Sequence, residues 1–255
     1  MGGGYAVPRF FIEKGVLSGN IVSVCGEDAR HISFSLRAKP GEEYVLCDDE
    51  GYEYQCVIES IDSERVNFRV MGKIKSDREP DVSVTLYQAL TKSDKFDSII
   101  QKAVELGVRK IVPVLTSRCV SRPDGKALLK KNERWQKIAK TAAMQSMRGI
   151  VPYVSDTVDY ETAISEIAGA DCGFVCYETE PHRALSEILK EASLDRRAES
   201  YAFLVGPEGG ISEKEADYAK SNGVALASLG KRILRTETAP VCVISSVMFF
   251  TGNLD

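Results

Sequence analysis

Two loops near the C-terminus constrain this chain more than any other part of it. The first is Leu204-Val205-Gly206-Pro207-Glu208-Gly209-Gly210-Ile211-Ser212, and the second is Leu229-Gly230-Lys231-Arg232-Ile233-Leu234-Arg235-Thr236-Glu237-Thr238-Ala239. Each closes an apolar strand and exposes backbone hydrogen-bonding groups. Ligands of open α/β sheets sit beyond the carboxyl ends of the strands, so two such loops can build a pocket mostly from main chain. Gly206, Gly209 and Gly210 allow positive φ and close backbone approach, while Pro207 limits the freedom they introduce. No Gly-Lys-Ser/Thr follows, and the spacing is not GxGxxG, so neither a Walker loop nor a dinucleotide fingerprint is present. Taken alone, the glycine loop reads as a strand-to-helix turn. The second loop adds chemistry: Lys231, Arg232 and Arg235 bracket Ile233 and Leu234. Apolar residues can flank a planar ring while backbone reads its edge, and arginine can hold a phosphate or a planar carbonyl. Thr236 or Thr238 could also cap the last helix, with Glu237 a favourable charge at its start.

The rest of the chain divides by texture. Residues 1–75 carry short alternating segments at 21–24, 44–47, 54–58 and 66–70, separated by turn signals such as Lys39-Pro40-Gly41. Such spacing predicts a small β-barrel or sandwich. The glycine-rich residues 1–7 read as a flexible tail, and polar residues 73–80 as a linker. From 76 to 255 strands alternate with helices, which predicts an α/β domain with a mainly parallel sheet. Strands are expected at 82–87, 110–115, 172–177, 202–205 and 224–229. Helices are expected from Ser93 or Asp94 to Gly107, over 133–147, from a capping box at Ser212 and Glu215 to Gly223, and over 240–250.

Composition narrows the function classes. No apolar run approaches membrane-spanning length, and no basic-then-apolar leader marks a signal peptide. Seven cysteines without paired CxxC spacing, and His31 and His182 as the only histidines, argue for reduced structural thiols and against zinc. A cytoplasmic protein without metal is expected. The net charge of −4 excludes a general polyanion binder. Locally, however, residues 118–148 hold nine basic residues against two acidic ones, which suits a phosphate-contacting surface.

The ordered motifs resemble one family. They include Pro8-Arg9-Phe10-Phe11, His31 through Leu36-Arg37, Pro40-Gly41, Gln88-Ala89-Leu90 with Lys92, and Gln101-Lys102-Ala103-Val104-Glu105-Leu106-Gly107. Glu133-Arg134-Trp135, Gln145 to Arg148 with Pro152, and both C-terminal loops complete the set. In this the chain is similar, over nearly its whole length, to the bacterial 16S ribosomal RNA uridine-N3 methyltransferases of the SPOUT superfamily. It departs from their pattern at Met144, where Glu is usual, and at Gly149, where a polar residue is usual.

The resemblance implies a PUA-like RNA-binding β-barrel followed by a SPOUT-type parallel sheet with a C-terminal trefoil knot. It implies S-adenosyl-L-methionine held by Leu204, Gly206, Pro207, Glu208, Gly209, Gly210, Leu229, Gly230, Arg232, Ile233, Leu234, Thr236 and Thr238. It also implies a homodimer, with the apolar final helix in the interface, acting on small-subunit ribosomal RNA in the 30S particle. Arg235 and Arg148 are the candidates for stabilising charge on the uracil oxygens, and Glu237 for taking a proton. Arg9, Arg37, Lys39, Arg118 and Arg122 are the candidate RNA contacts. Another SPOUT reaction, such as ribose 2′-O methylation, and a non-catalytic RNA-binding protein are the alternatives.

Overall fold

The structure, a computed structural model, describes residues 7–13, 17–62, 64–179, 183–193 and 198–254. Of the expected N-terminal tail only Val7 is described, and it is exposed; His182 lies outside the described residues. The chain forms two compact units, one of residues 1–79 with 143–151 and one of 80–142 with 152–255.

The first unit is a six-stranded sheet of β1 (Arg9–Phe11), β2 (Leu17–Ser18), β3 (Ile21–Cys25), β4 (Glu43–Cys47), β5 (Tyr52–Ile61) and β6 (Arg65–Lys75). The order is β1-β4-β5-β6-β3-β2, antiparallel except for the β1/β4 pair. Alternation does what the sequence implied: Val66 and Phe68 point into a core with Phe10, Val22, Ile32, Tyr44, Leu46 and Ile58, while Arg65 and Arg69 point out. Register shifts at Gln55/Cys56 and Ile58/Ser60 mark bulges, which bend a strand and increase its twist. The result is a curled half-barrel rather than a closed barrel. After β3 the chain turns through α1 (Gly26–Arg30) into a π-helical turn, His31–Ser35, that no periodicity in the sequence announced.

Residues 73–80 are not a loose linker. β6 runs to Lys75, and the residues beyond it join two polar clusters. In the first, buried Arg9 grips buried Glu53 through two hydrogen bonds of 2.8 Å, and Ser76 Oγ donates to the same carboxylate. In the second, Glu79 accepts from the Arg148 guanidinium and from Gly149 N. A Cβ at Gly149 would lie 2.6 Å from Ser76 Cβ, so glycine is required there by packing. Met144 lies against the half-barrel core, where a Glu would need a partner. Both departures from the family pattern therefore have local packing reasons.

The second unit contains β7 (Ser83–Ala89), β8 (Lys110–Leu115), β9 (Tyr153–Val154), β10 (Val158–Asp159), β11 (Cys172–Cys176), β12 (Arg183–Ala184), β13 (Ser200–Val205) and β14 (Ala225–Ser228). Its helices are α2 (Ser93–Glu105), α3 (Gly125–Gln145, whose last three residues belong to the first unit), α4 (Tyr160–Ala168), α5 (Leu185–Glu191), α6 (Glu213–Ser221) and α7 (Ala239–Phe250). The sheet order is β10-β8-β7-β13-β11-β14-β12, with β9 also on β8, and every pairing is parallel. Strands buried on both faces read as continuous apolar runs, as β13 does. Ala202 and Leu204 join a core cluster with residues of α4 and α6, and α7 packs on β13 and α2. Helix α3 starts earlier than expected and stops before Met147, whose φ of 61° is left-handed. The sequence reading missed the short helices α4 and α5; Asp159 caps α4 by accepting from Thr162 N.

Every described cysteine is free. Burial pushes the Cys47 and Cys56 thiols up to about 12 and Cys172 to about 11, so they remain protonated and act as small apolar side chains.

Removing one partner of a buried ion pair strands the other charge at about 3–5 kcal/mol. Glu53→Ala should lose that much in urea unfolding, and Arg9→Met with Glu53→Leu should lose less than the single change. Burial raises the Glu53 carboxyl, but the Arg9 and Ser76 bonds outweigh it and hold it below its ordinary value. Its contribution is therefore complete above the ordinary glutamate range of about 4.3 and is lost as pH falls through the lower folded-state value. Glu53→Gln should flatten stability against pH below about 4.3.

Candidate active site

Because the sheet is parallel, β11, β13 and β14 deliver their carboxyl ends to one edge, where a cavity of about 330 Å³ opens. The β13 end supplies Val205, Gly206, Pro207, Glu208, Gly210 and Ile211, and the β14 end supplies Ala227 to Gly230 and Arg232 to Glu237. Cys176, Tyr177 and Glu178 come from the end of β11, and Lys95 from the first turn of α2.

A buried threonine joins the loops. Thr236 Oγ1 donates to Gly206 O at 2.7 Å and accepts from Gln88 Nε2 at 3.1 Å, so the ends of β7 and β13 are tied to the loop after β14. Gln88 is completely buried. The glycine loop is braced from its other side by Arg118, whose guanidinium donates to Gly209 O at 2.8 Å and Ile211 O at 3.3 Å. Ser212 caps α6 in a full capping box with Glu215, and Glu215 also accepts from Ser117 N at 2.7 Å. Burial raises the Glu215 carboxyl, but these donors outweigh it and hold it below its ordinary value.

The glycines are there for shape. A Cβ on Gly206 would meet Gly210 C at 3.0 Å, and one on Gly210, which has φ +68°, would meet Glu178 Oε1 at 2.5 Å. At the rim Lys95 Nζ lies 3.2 Å from Glu208 Oε1 and 3.7 Å from Glu237 Oε2. Ile233 stands 84% exposed between Arg232 and Arg235. Tertiary placement thus gives a wall of main chain, an apolar flank and a rim carrying both signs of charge.

Several residues chosen from sequence lie elsewhere. Leu204, Gly209 and Thr238 do not line the cavity; Leu204 is core, and Thr238 occupies the N-cap position of α7 without a side-chain bond. Arg148 is 4% exposed in its pair with Glu79 and is not a lining residue. Arg9 is not a surface cation, because its guanidinium is committed to Glu53. Arg118 and Arg122 are exposed but donate to backbone carbonyls, Arg122 to Thr116 O at 2.6 Å. Arg37 and Lys39 are exposed. Lys95 and Glu178 escaped sequence reading. Nothing local marks either, since each reaches the site only through the fold. Among the described residues no group of three or more His, Cys, Asp or Glu could hold a metal ion, and no helix is long and apolar enough to cross a membrane.

Comparison with known proteins agrees with this architecture. Residues 78–248 match the model of the RNA methyltransferase domain, and residues 24–71 that of the RNA methyltransferase PUA domain. Ribosomal RNA small subunit methyltransferase E of Bacillus subtilis is 33% identical over 96% of this chain and 98% of its own length. The protein of the same name from Mycobacterium bovis is 29% identical over 96% of this chain and 93% of its own. The Neisseria gonorrhoeae ribosomal RNA small subunit methyltransferase E, solved bound to S-adenosyl methionine, superposes with a TM-score of 0.85 at 30% identity, covering 96% of this chain and 98% of that one. Fold and site thus define a two-unit RNA methyltransferase. The chain belongs to the ribosomal RNA small subunit methyltransferase E family.

Placing a side chain at a positive φ strains the backbone by about 1–2 kcal/mol. Gly210→Ala should lose that much in urea unfolding and displace Glu178. Gly125→Ala, at the start of α3 with open space around it, should be neutral or gain up to about 1 kcal/mol.

Proposed function

We propose that this protein methylates N3 of a specific uridine in 16S small-subunit ribosomal RNA, using S-adenosyl-L-methionine. The observation that carries the reading is the main-chain pocket at the ends of β11, β13 and β14, with Arg235 and Glu237 in its lining. The residues present fit the cofactor. Glycines stand where a Cβ would fill the cradle, and Glu178, which lines the cavity beside Gly210, suits a ligand that carries cationic sulfonium and ammonium groups. The backbone of Leu229, Gly230 and Leu234, beside Ile233, suits a planar heterocycle. Bound there, the cofactor supplies an electrophilic methyl group. Arg235, exposed at the pocket, would stabilise the uracil oxygens as negative charge develops, which favours loss of the N3 proton. Glu237 would take that proton. Arg148, tied to Glu79, is better read as holding residues 143–151 to the half-barrel than as part of the chemistry.

RNA would be gripped by Arg37 and Lys39 on the half-barrel and by the exposed lysines of α3, Lys126, Lys130 and Lys137. With a net charge of −4, the protein should bind arbitrary RNA poorly and prefer the assembled 30S particle. We further propose a homodimer in the cytoplasm that uses α7, whose Phe249 is 76% exposed. The fold proposed includes a C-terminal trefoil knot in the stretch after β14, where Thr236 comes back to bond the β13 end.

Arg235→Ala should lower kcat by about 10²-fold or more, while calorimetry with S-adenosylmethionine changes by less than about threefold, since the arginine acts on uracil rather than on the cofactor. Mass mapping of small-subunit RNA from cells with and without the protein should show one uridine gaining a methyl on its base. A methyl on a ribose, or none, would overturn the reading.

A further inference from the structure

Lys95 lines the pocket without a role in the proposed chemistry, and its surroundings are asymmetric. It sits in the first turn of α2, away from both C-terminal loops, yet its ammonium reaches a glutamate on each. The contact with Glu208, at 3.2 Å, is a hydrogen-bonding distance; the contact with Glu237, at 3.7 Å, is an ionic approach without a hydrogen bond. Glu208 also accepts from the backbone N–H groups of Glu208 and Lys92, and these donors outweigh burial and hold its carboxyl below the usual value. Glu208 is therefore a satisfied anion that anchors the lysine. Glu237 Oε2, in contrast, is buried and accepts no hydrogen bond among the described residues. Buried acceptors seldom go unmet, and Glu237 lines the cavity, so this oxygen holds acceptor capacity at the cavity wall that the described residues leave unused.

The lining thus holds a set of two donors, Arg235 and Lys95, and one acceptor, Glu237. The Watson–Crick edge of uracil is its complement, with a carbonyl on each side of the N3–H. We infer that Lys95 is a positioning residue, fixed by Glu208, that holds the Glu237 carboxylate with Oε2 ready to accept the N3 proton of the target uridine. This rests on the uridine reading and deepens it. In the step, the N3–H bond breaks with its electron pair left on N3 and the proton passes to Glu237 Oε2; N3 would then bond the methyl group as its bond to sulfur breaks and S-adenosylhomocysteine leaves. Lys95 holds the carboxylate in place before the step and touches neither reacting atom.

The test compares wild type, Lys95→Met, Lys95→Arg and Glu208→Gln on unmethylated small-subunit particles. It reads kcat, KM for the particle, S-adenosylmethionine affinity by calorimetry, and thermal unfolding. Lys95→Met should lower kcat by about 10²-fold, with KM and cofactor affinity within about threefold of wild type. Lys95→Arg should recover most of that loss, because it restores the cation. Glu208→Gln, which leaves Lys95 in place but unanchored, should fall between them and guards against a folding defect in Lys95→Met. A Lys95→Met enzyme with wild-type kcat overturns the inference. So does one whose main defect is cofactor affinity, because Oε2 would then be serving the cofactor ammonium. If the wild type methylates an atom other than N3, the uridine reading fails and takes this inference with it. If the wild type methylates N3 and Lys95→Met matches it, this inference alone fails.

Discussion

The hydroxyl of Thr236 does more to define this site than any charged group. It donates to Gly206 O and accepts from Gln88 Nε2, and so closes a buried bridge among the ends of β7 and β13 and the loop after β14. Three chain segments distant in sequence become one wall. A hydroxyl suits this position because it can donate to Gly206 O and accept from Gln88 Nε2 at once. Everything else in the pocket is hung from that bridge. With Thr236 held inward, its neighbours Arg235 and Glu237 lie along the cavity, and the Gly206 backbone is fixed where a side chain would block it.

A second layer of polar contacts supports the glycine loop from behind. Arg118 holds the carbonyls of Gly209 and Ile211, while Glu215 collects Ser212 and Ser117. These interactions substitute for the rigidity that a glycine-rich segment lacks, since such a segment loses more conformational freedom on ordering than any other. They also reassign part of the basic segment. Arg118 and Arg122 keep their charge but spend guanidinium donors on backbone, so fewer donors are left for RNA than a count of arginines implies. The first unit uses the same device more deeply. Arg9 with Glu53, and Arg148 with Glu79, each bury a cation beside its partner, and these pairs order residues that looked like a linker and a substrate-facing segment.

Much of the fold was legible because local patterns carry it. Alternation at 66–70 and the apolar run at 202–205 mark one-sided and two-sided burial. Gly107 and Gly223, both with positive φ, and the Ser212 capping box mark helix ends through conformations few other residues adopt. What escaped had no local signature. The π-helical turn at His31–Ser35 is imposed by packing of Ile32 into the core, and α4 and α5 are too short to establish a period. At the site, the two loops were visible because glycine, proline and arginine are unusual in such density. Lys95 looked like any solvent-facing lysine of a helix first turn, and Arg9 like an exposed cation.

The sequence by itself determined most of the longer elements, their order, the two strand-end loops and the family, because these depend on residue type and spacing along the chain. Only the tertiary structure decided which side chains share the pocket: that Lys95 meets Glu208 and Glu237, that Glu178 faces Gly210, and that Arg9 and Arg148 are turned inward. Such pairings join residues whose separation along the chain says nothing about their separation in space. They are fixed by parallel strand order and by the need of each buried polar group to find a partner.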